Sequence, residues 1–123
     1  MVKVEAAGAP AAIGPYSHAI AVDGAIYTSG QLGLVPDTGA LAEGGIQGQS
    51  EQAIKNLAAV LGAGGSALTN VVKTTCFLSD LKDFAAFNEI YAKYFPQCPA
   101  RSCFAVKELP KDALIEIEAI AVK

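Results

Sequence analysis

An arginine and two glutamates toward the C-terminal end are the residues whose types and spacing suit chemistry. Arg101 lies in Pro99-Ala100-Arg101-Ser102-Cys103, and the acids lie in Leu114-Ile115-Glu116-Ile117-Glu118-Ala119-Ile120. A guanidinium is a planar, permanently charged fork of donors that grips a carboxylate at two points. Pro99 stiffens the backbone just before it. Side chains of a strand alternate between faces, so Glu116 and Glu118 share one face about 7 Å apart, while Ile115, Ile117, Ala119 and Ala121 take the other. A fixed cation near a strand carrying two acids makes a seat for a small anionic substrate and a water. Taken alone, the acids also suit a solvated edge or interface salt bridges, and Arg101 a structural ion pair.

Five other positions carry polar or reactive groups. Gly14-Pro15-Tyr16-Ser17 is a rigid turn that delivers the Tyr16 phenol, either to a ligand or as a lid on the core. Ser29-Gly30 ends a strand-like run, where backbone N–H groups and a hydroxyl suit holding an oxygen as well as an ordinary turn. Asn88 sits between apolar positions of a helical pattern, and its spacing alone points it to solvent. Cys103 has no histidine near it in sequence to activate a thiolate, so its backbone rather than its sulfur is expected to matter. His18 is a candidate base, but a lone strand histidine reads as structural.

The elements that must position these residues follow from period and turn chemistry. Ser17–Val22 and Ala25–Gly30 flank Asp23-Gly24, a pair that tolerates positive φ and marks a tight hairpin. After Gly30 comes a glycine- and proline-rich stretch with a turn at Pro36-Asp37-Thr38-Gly39, expected to be an irregular loop with a short edge strand. Ile54, Leu57, Ala58 and Leu61 fall at helical spacing, with Ser50 as the cap and Gly62 to Gly65 as the stop. Asn70–Leu78 is β-branched and continuous, as in a strand covered on both faces. A second helix capped by Asp80 or Asp83 carries Phe84, Phe87, Ile90, Tyr91 and Tyr94 and stops before Pro96. Ser102–Val106 and Ala113–Val122 supply the last strands. This order predicts an α+β layer design, two helices on one face of a mixed sheet.

Composition narrows the field. The 123 residues suit one domain, residues 1–123. Hydrophobic residues make up 52% and charged residues only 17%, against about 25% charged on average. Such a chain has more apolar surface than its own core hides, and the uncovered sheet face agrees, so a homo-oligomer is expected. The net charge of −3, without a run of lysine or arginine, argues against a nucleic-acid partner. No stretch has the apolar length of a signal peptide core or a membrane span. Cys76, Cys98 and Cys103 form an odd set without paired spacing, which suggests reduced thiols in a cytoplasmic protein and no metal site.

Gly14-Pro15-Tyr16-Ser17, Tyr27-Thr28-Ser29-Gly30-Gln31, Asn70-Val71-Val72-Lys73-Thr74-Thr75, Pro99-Ala100-Arg101-Ser102 and Ile115-Glu116-Ile117-Glu118-Ala119 together resemble the RidA/YjgF family of reactive-intermediate deaminases. The likeness runs in order along nearly the whole chain. It implies a chorismate-mutase-like homotrimer, a ferredoxin-like-derived fold, with sites in the clefts between subunits. The implied reaction is cofactor-free hydrolysis of 2-imino acids such as 2-iminobutanoate to 2-keto acids and ammonia. By the same resemblance Arg101 binds the substrate carboxylate and Glu116 holds or activates the water. Tyr16, Ser29, Gly30, Asn88 and Cys103 line the pocket. Two positions depart from the family pattern: His18 stands where many relatives have glutamine, and Cys98 where an aromatic is common. Two other readings stay open, a carboxylic-acid-binding module without turnover and the endoribonuclease or translation inhibitor for which family members are also labelled.

Overall fold

The computed structural model describes all 123 residues. Its strands are β1 (Val2–Val4), β2 (Ala19–Val22), β3 (Ala25–Thr28), β4 (Gln31–Leu32), β5 (Val71–Leu78), β6 (Ala100–Ala105) and β7 (Ile115–Val122), and its helices are α1 (Gly45–Ala63) and α2 (Phe84–Tyr94). One sheet holds every strand, in the order β1-β2-β3-β7-β5-β6, with β4 also paired to β7. The β5–β6 pair is parallel and the other pairs are antiparallel. The expected α+β design with a mixed sheet and two helices is the one observed.

Each element has a local cause. Asp23 and Gly24 take φ of 50° and 77°, the left-handed pair that a two-residue hairpin between β2 and β3 demands. In α1 the residues Ile54, Leu57, Val60 and Leu61 are fully buried, and they lie against Ile26 of β3 and Ile115, Ile117 and Ala121 of β7 in one core cluster. The second helix adds Phe87, Tyr91 and the following Phe95 to that core, and the Tyr91 hydroxyl lies 2.8 Å from Thr74 Oγ1 of β5. Asp80 caps the short turn Leu81–Asp83 that leads into α2, where its side chain accepts from the Lys82 N–H. Asp83 makes no side-chain cap.

Two expectations are corrected, and one further strand appears. The first helix begins at Gly45, not Ser50, and its N-cap is Gly44 in a left-handed conformation. Ser50 lies inside the helix, fully buried, with its hydroxyl unpartnered. The glycines that read as loop are what allow the tight entry, since a methyl group on Gly48 would collide with the Glu43 carbonyl oxygen. The strand β5 is covered on one face only: Thr74, Cys76 and Leu78 are buried, while Thr75 and Phe77 are partly exposed. Finally, β1 extends the sheet beyond β2, and its three residues are too few to leave a sequence pattern.

Register sorts the sheet into two faces. Thr74, Cys76 and Leu78 oppose Ala119, Ile117 and Ile115, and this set faces the helices. Thr75 and Phe77 oppose Glu118 and Glu116 on the other, helix-free face. That face also carries Phe104, edge-on to Phe77 at 5.5 Å, and Tyr27, which are 45% and 47% exposed. An open face with large apolar groups left half in water is the surface that the composition anticipates.

Candidate active site

The candidate residues gather in two places, one on each face of the sheet. On the open face, Tyr16, Ser29, Gly30, Glu116 and Glu118 line one cleft of about 770 Å³. Its floor is the break between β3 and β4. There the Ser29 N–H donates to the His18 carbonyl at 2.9 Å, and the Ser29 hydroxyl donates to the Ser17 carbonyl at 2.6 Å. Of the two readings of this stretch, a seat for an oxygen and an ordinary turn, these two donors serve the turn. The fixed turn puts Gly30 against the Glu116 carboxylate, so close that an added methyl group would stand 2.5 Å from Oε2. Glycine here leaves the carboxylate its place. Glu116 is half-buried, and burial first, then the charge of Glu118, pushes its carboxyl above the usual range.

One wall of the cleft comes from the segment before β2, which includes Pro10 and Ile13. His18 secures it. The Ala6 N–H donates to Nδ1 at 2.9 Å, so Nε2 carries the proton and donates to the Pro10 carbonyl at 2.8 Å. With both nitrogens engaged and the ring buried, His18 is a brace and not a base. Tyr16, 48% exposed, stands at the rim with its ring beside Gly14, whose φ is 132°.

Arg101, Asn88 and Cys103 form the second place, on the helix side at the sheet edge. Parallel pairing puts Arg101 beside Thr74 and Cys103 beside Cys76, on the face that bears α2. The Arg101 guanidinium donates from Nη1 to Asn88 Oδ1 at 2.7 Å. It lies 4.7 Å from the Tyr91 ring centre and 5.6 Å from that of Phe84, a cation–π shelf. Asn88 therefore faces the arginine and not open solvent. No carboxylate stands within the 4.0 Å ion-pair distance of Arg101. The cation is held by neutral groups, with its charge uncompensated.

The thiols of Cys76 and Cys103 are poor nucleophiles. Burial raises the Cys103 thiol, only partly opposed by Arg101, and burial pushes Cys76 up to about 12. No group of three or more His, Cys, Asp or Glu side chains is placed to hold a metal ion.

Within one chain, then, the arginine and the glutamates point away from each other across the sheet. Sequence reasoning also missed three contributors. Phe84 and Tyr91 build the arginine shelf; their spacing from Asn88, four residues before and three after, puts all three on one helix face and was readable. Lys111, with φ of 59°, reaches the cleft from the short turn Pro110–Asp112, and nothing in the sequence signals that conformation.

Comparison with known proteins bears on this geometry. A family model described as endoribonuclease L-PSP matches residues 6–123. The 2-iminobutanoate/2-iminopropanoate deaminase of Homo sapiens is 50% identical over 121 residues, 98% of this chain and 88% of the human protein. Reactive Intermediate Deaminase A, chloroplastic, of Arabidopsis thaliana is 52% identical over 92% of this chain and 61% of the plant protein. Among solved structures, E. coli TdcF with bound serine superimposes with a TM-score of 0.95 at 38% identity, covering 100% of this chain and 99% of that one.

Proposed function

The chain belongs to the endoribonuclease L-PSP family, the RidA/YjgF proteins, and on that premise we propose that it hydrolyses 2-imino acids to 2-keto acids and ammonia at a site that two copies of the chain complete. The supporting observation is Arg101: a guanidinium fixed by Asn88 and two aromatic rings, with no protein carboxylate to neutralise it. Such a group is prepared for the carboxylate of a ligand. The serine bound to TdcF, a relative of the same fold, carries that chemical group.

The acid lies on the opposite face, so a substrate held by Arg101 meets Glu116 only if a second copy brings its cleft against the arginine shelf. The exposed apolar side chains of the open face favour that contact, and a closed ring of three, the assembly the family resemblance implies, leaves no half-site unpaired. In the reaction, water attacks the imine carbon of the bound iminium. The C=N π pair moves to nitrogen, and Glu116 accepts a proton from the water. Glu116 passes this proton to the amine. The carbinolamine hydroxyl then gives its own proton to Glu116 as the C=O bond forms and the C–N bond breaks. Ammonia leaves with the C–N pair and takes up that proton as ammonium. A protonated imine is already electrophilic, so a positioned carboxylate, worth about 10²–10⁴-fold, suffices together with orientation on Arg101.

The nuclease in the family's description finds less support, because a chain of net charge −3 with two acids in its cleft repels phosphate. The test is a threonine dehydratase reaction, in which added protein is expected to speed the appearance of the keto acid. Arg101→Ala should remove that acceleration while keeping the native size on a sizing column. An Arg101→Ala protein as fast as the native one overturns the assignment, and calorimetric binding of 2-ketobutyrate without acceleration would make the protein a binding module.

A further inference from the structure

Glu118 has no part in the reaction as described, yet it faces the same cleft as Glu116 from the next outward position of β7. Both acids are half-buried, and no lysine, arginine or histidine nitrogen lies within 4.0 Å of either carboxylate. The elements packed around them supply little compensation. Opposite the pair, β5 offers Phe77 and Thr75, and β4 offers Leu32. Lys73 of β5 lines a smaller hollow beside Glu118 but directs its ammonium to Ser102 Oγ at 3.1 Å. Lys111 lines the cleft mouth, with its ammonium 3.4 Å from the Gly39 carbonyl. Tyr16 contributes a phenol at the rim.

We propose that Glu118 is a positioning residue for the reaction: its uncompensated carboxylate, on the same face of the same strand, strengthens Glu116 as the acceptor of the proton that water gives up. The reasoning rests on the deaminase reading above for its consequence, but not for its physics. A like charge about 7 Å away in a partly desolvated cleft disfavours ionisation of Glu116, so the Glu118 carboxylate makes Glu116 hold its proton more tightly. A carboxylate of ordinary strength is a weak base toward water at neutral pH. One with a like charge beside it is better matched to the transfer. The upward displacement of Glu116, with Glu118 as its second cause after burial, agrees in direction.

Two readouts test this. The first is the pH profile of kcat/KM for imine hydrolysis. If Glu116 must be ionised to act, the acid limb of the profile follows its titration. Glu118→Gln, nearly isosteric but uncharged, should move that limb to lower pH, and Glu118→Asp, which keeps the charge, should leave it near the native position. A Glu118→Gln protein that is slower with an unmoved limb would show a structural role only and overturn the proposal.

The second readout needs no activity. Carbon-13 carboxyl NMR should give a Glu116 midpoint that is lower in Glu118→Gln and in Glu118→Ala than in the native protein. An unmoved Glu116 midpoint in either variant overturns the coupling. A native protein that hydrolyses no imine would overturn the activity assigned above and leave the titration to decide this inference alone.

Discussion

The arginine shelf and the acid cleft lie on opposite faces of one sheet, and the chain builds them by opposite means. Arg101 is immobilised by side chains: one amide oxygen and two aromatic rings from α2 hold a group whose charge never changes. Glu116 is surrounded mainly by backbone, with Gly30 leaving it room and the Ser29 turn locked by hydrogen bonds. Its surroundings leave its carboxylate room and act chiefly on its proton. The difference matches the two duties proposed for these residues. Gripping a substrate carboxylate needs a fixed fork, while moving a proton needs a group whose ionised form is not over-stabilised. Keeping Arg101 away from Glu116 within the chain also prevents the ion pair that would silence both.

The largest effect is expected at Glu116. Glu116→Gln should cost about 10²–10⁴-fold in kcat/KM. It also offers a sharper test of the opposite-face geometry. If each site takes its arginine from one copy and its glutamate from the next, unfolding and co-refolding equal amounts of inactive Arg101→Ala and Glu116→Gln proteins should restore about one quarter of the native sites, by random assortment in a closed ring. No recovery would place both groups in one chain's site, contrary to the register of β5, β6 and β7. Stability should move the other way. A carboxyl raised in the folded state binds its proton more tightly there than in the unfolded chain, so stability falls as pH rises through that window. Glu116→Gln lacks this penalty. Its melting temperature should exceed the native value at pH 7, and the gap should close as the pH drops below the ordinary glutamate range.

That division between the faces was only partly legible in the sequence. The alternation that puts Glu116 and Glu118 together follows from strand period alone, and the β2–β3 hairpin from Asp23-Gly24. The apolar spacing of α2 was equally plain. What could not be read is which way Arg101 points, because that depends on β6 running parallel to β5 after a crossover through α2, with Arg101 beside Thr74. Register between strands far apart in sequence has no local signature. The start of α1 was hidden for a related reason: glycine's low helix propensity argued for loop from Gly44 to Gly48, and tertiary packing of the helix overrode it. How Ser29 uses its donors was not legible either, because the Ser17 and His18 carbonyls become its partners only once the hairpin is folded.

A smaller effect separates space from charge in the acid cleft. Gly30→Ala leaves the backbone unstrained, since Gly30 is not among the glycines with positive φ, but its methyl group displaces the Glu116 carboxylate. A shift of about 1 Å in a reacting group can cost about a hundredfold, so kcat/KM should fall by that order. Because the obstacle is the end of a side chain, the melting temperature should change little. Were Gly30→Ala to keep full activity, the carboxylate would act equally well when displaced, and the room that Gly30 leaves it would not matter to the reaction.

The smallest effect belongs to Cys103, the candidate on the arginine side with the least chemistry to offer. Its thiol is half-buried and its proton is held more tightly than usual, chiefly by desolvation, which the Arg101 charge only partly offsets. A nucleophile would need the reverse, a thiolate favoured near neutral pH. Cys103→Ser should therefore stay within about two- to threefold of native kcat/KM, the range of a substitution that removes no key contact. Iodoacetamide at pH 7 should label the exposed Cys98 first and Cys103 more slowly, with Cys103 gaining as the pH rises. If Cys103→Ser instead lost activity to the degree of Arg101→Ala, the arginine shelf would be contributing covalent chemistry. The two faces would then no longer divide into one that holds the substrate and one that moves the proton.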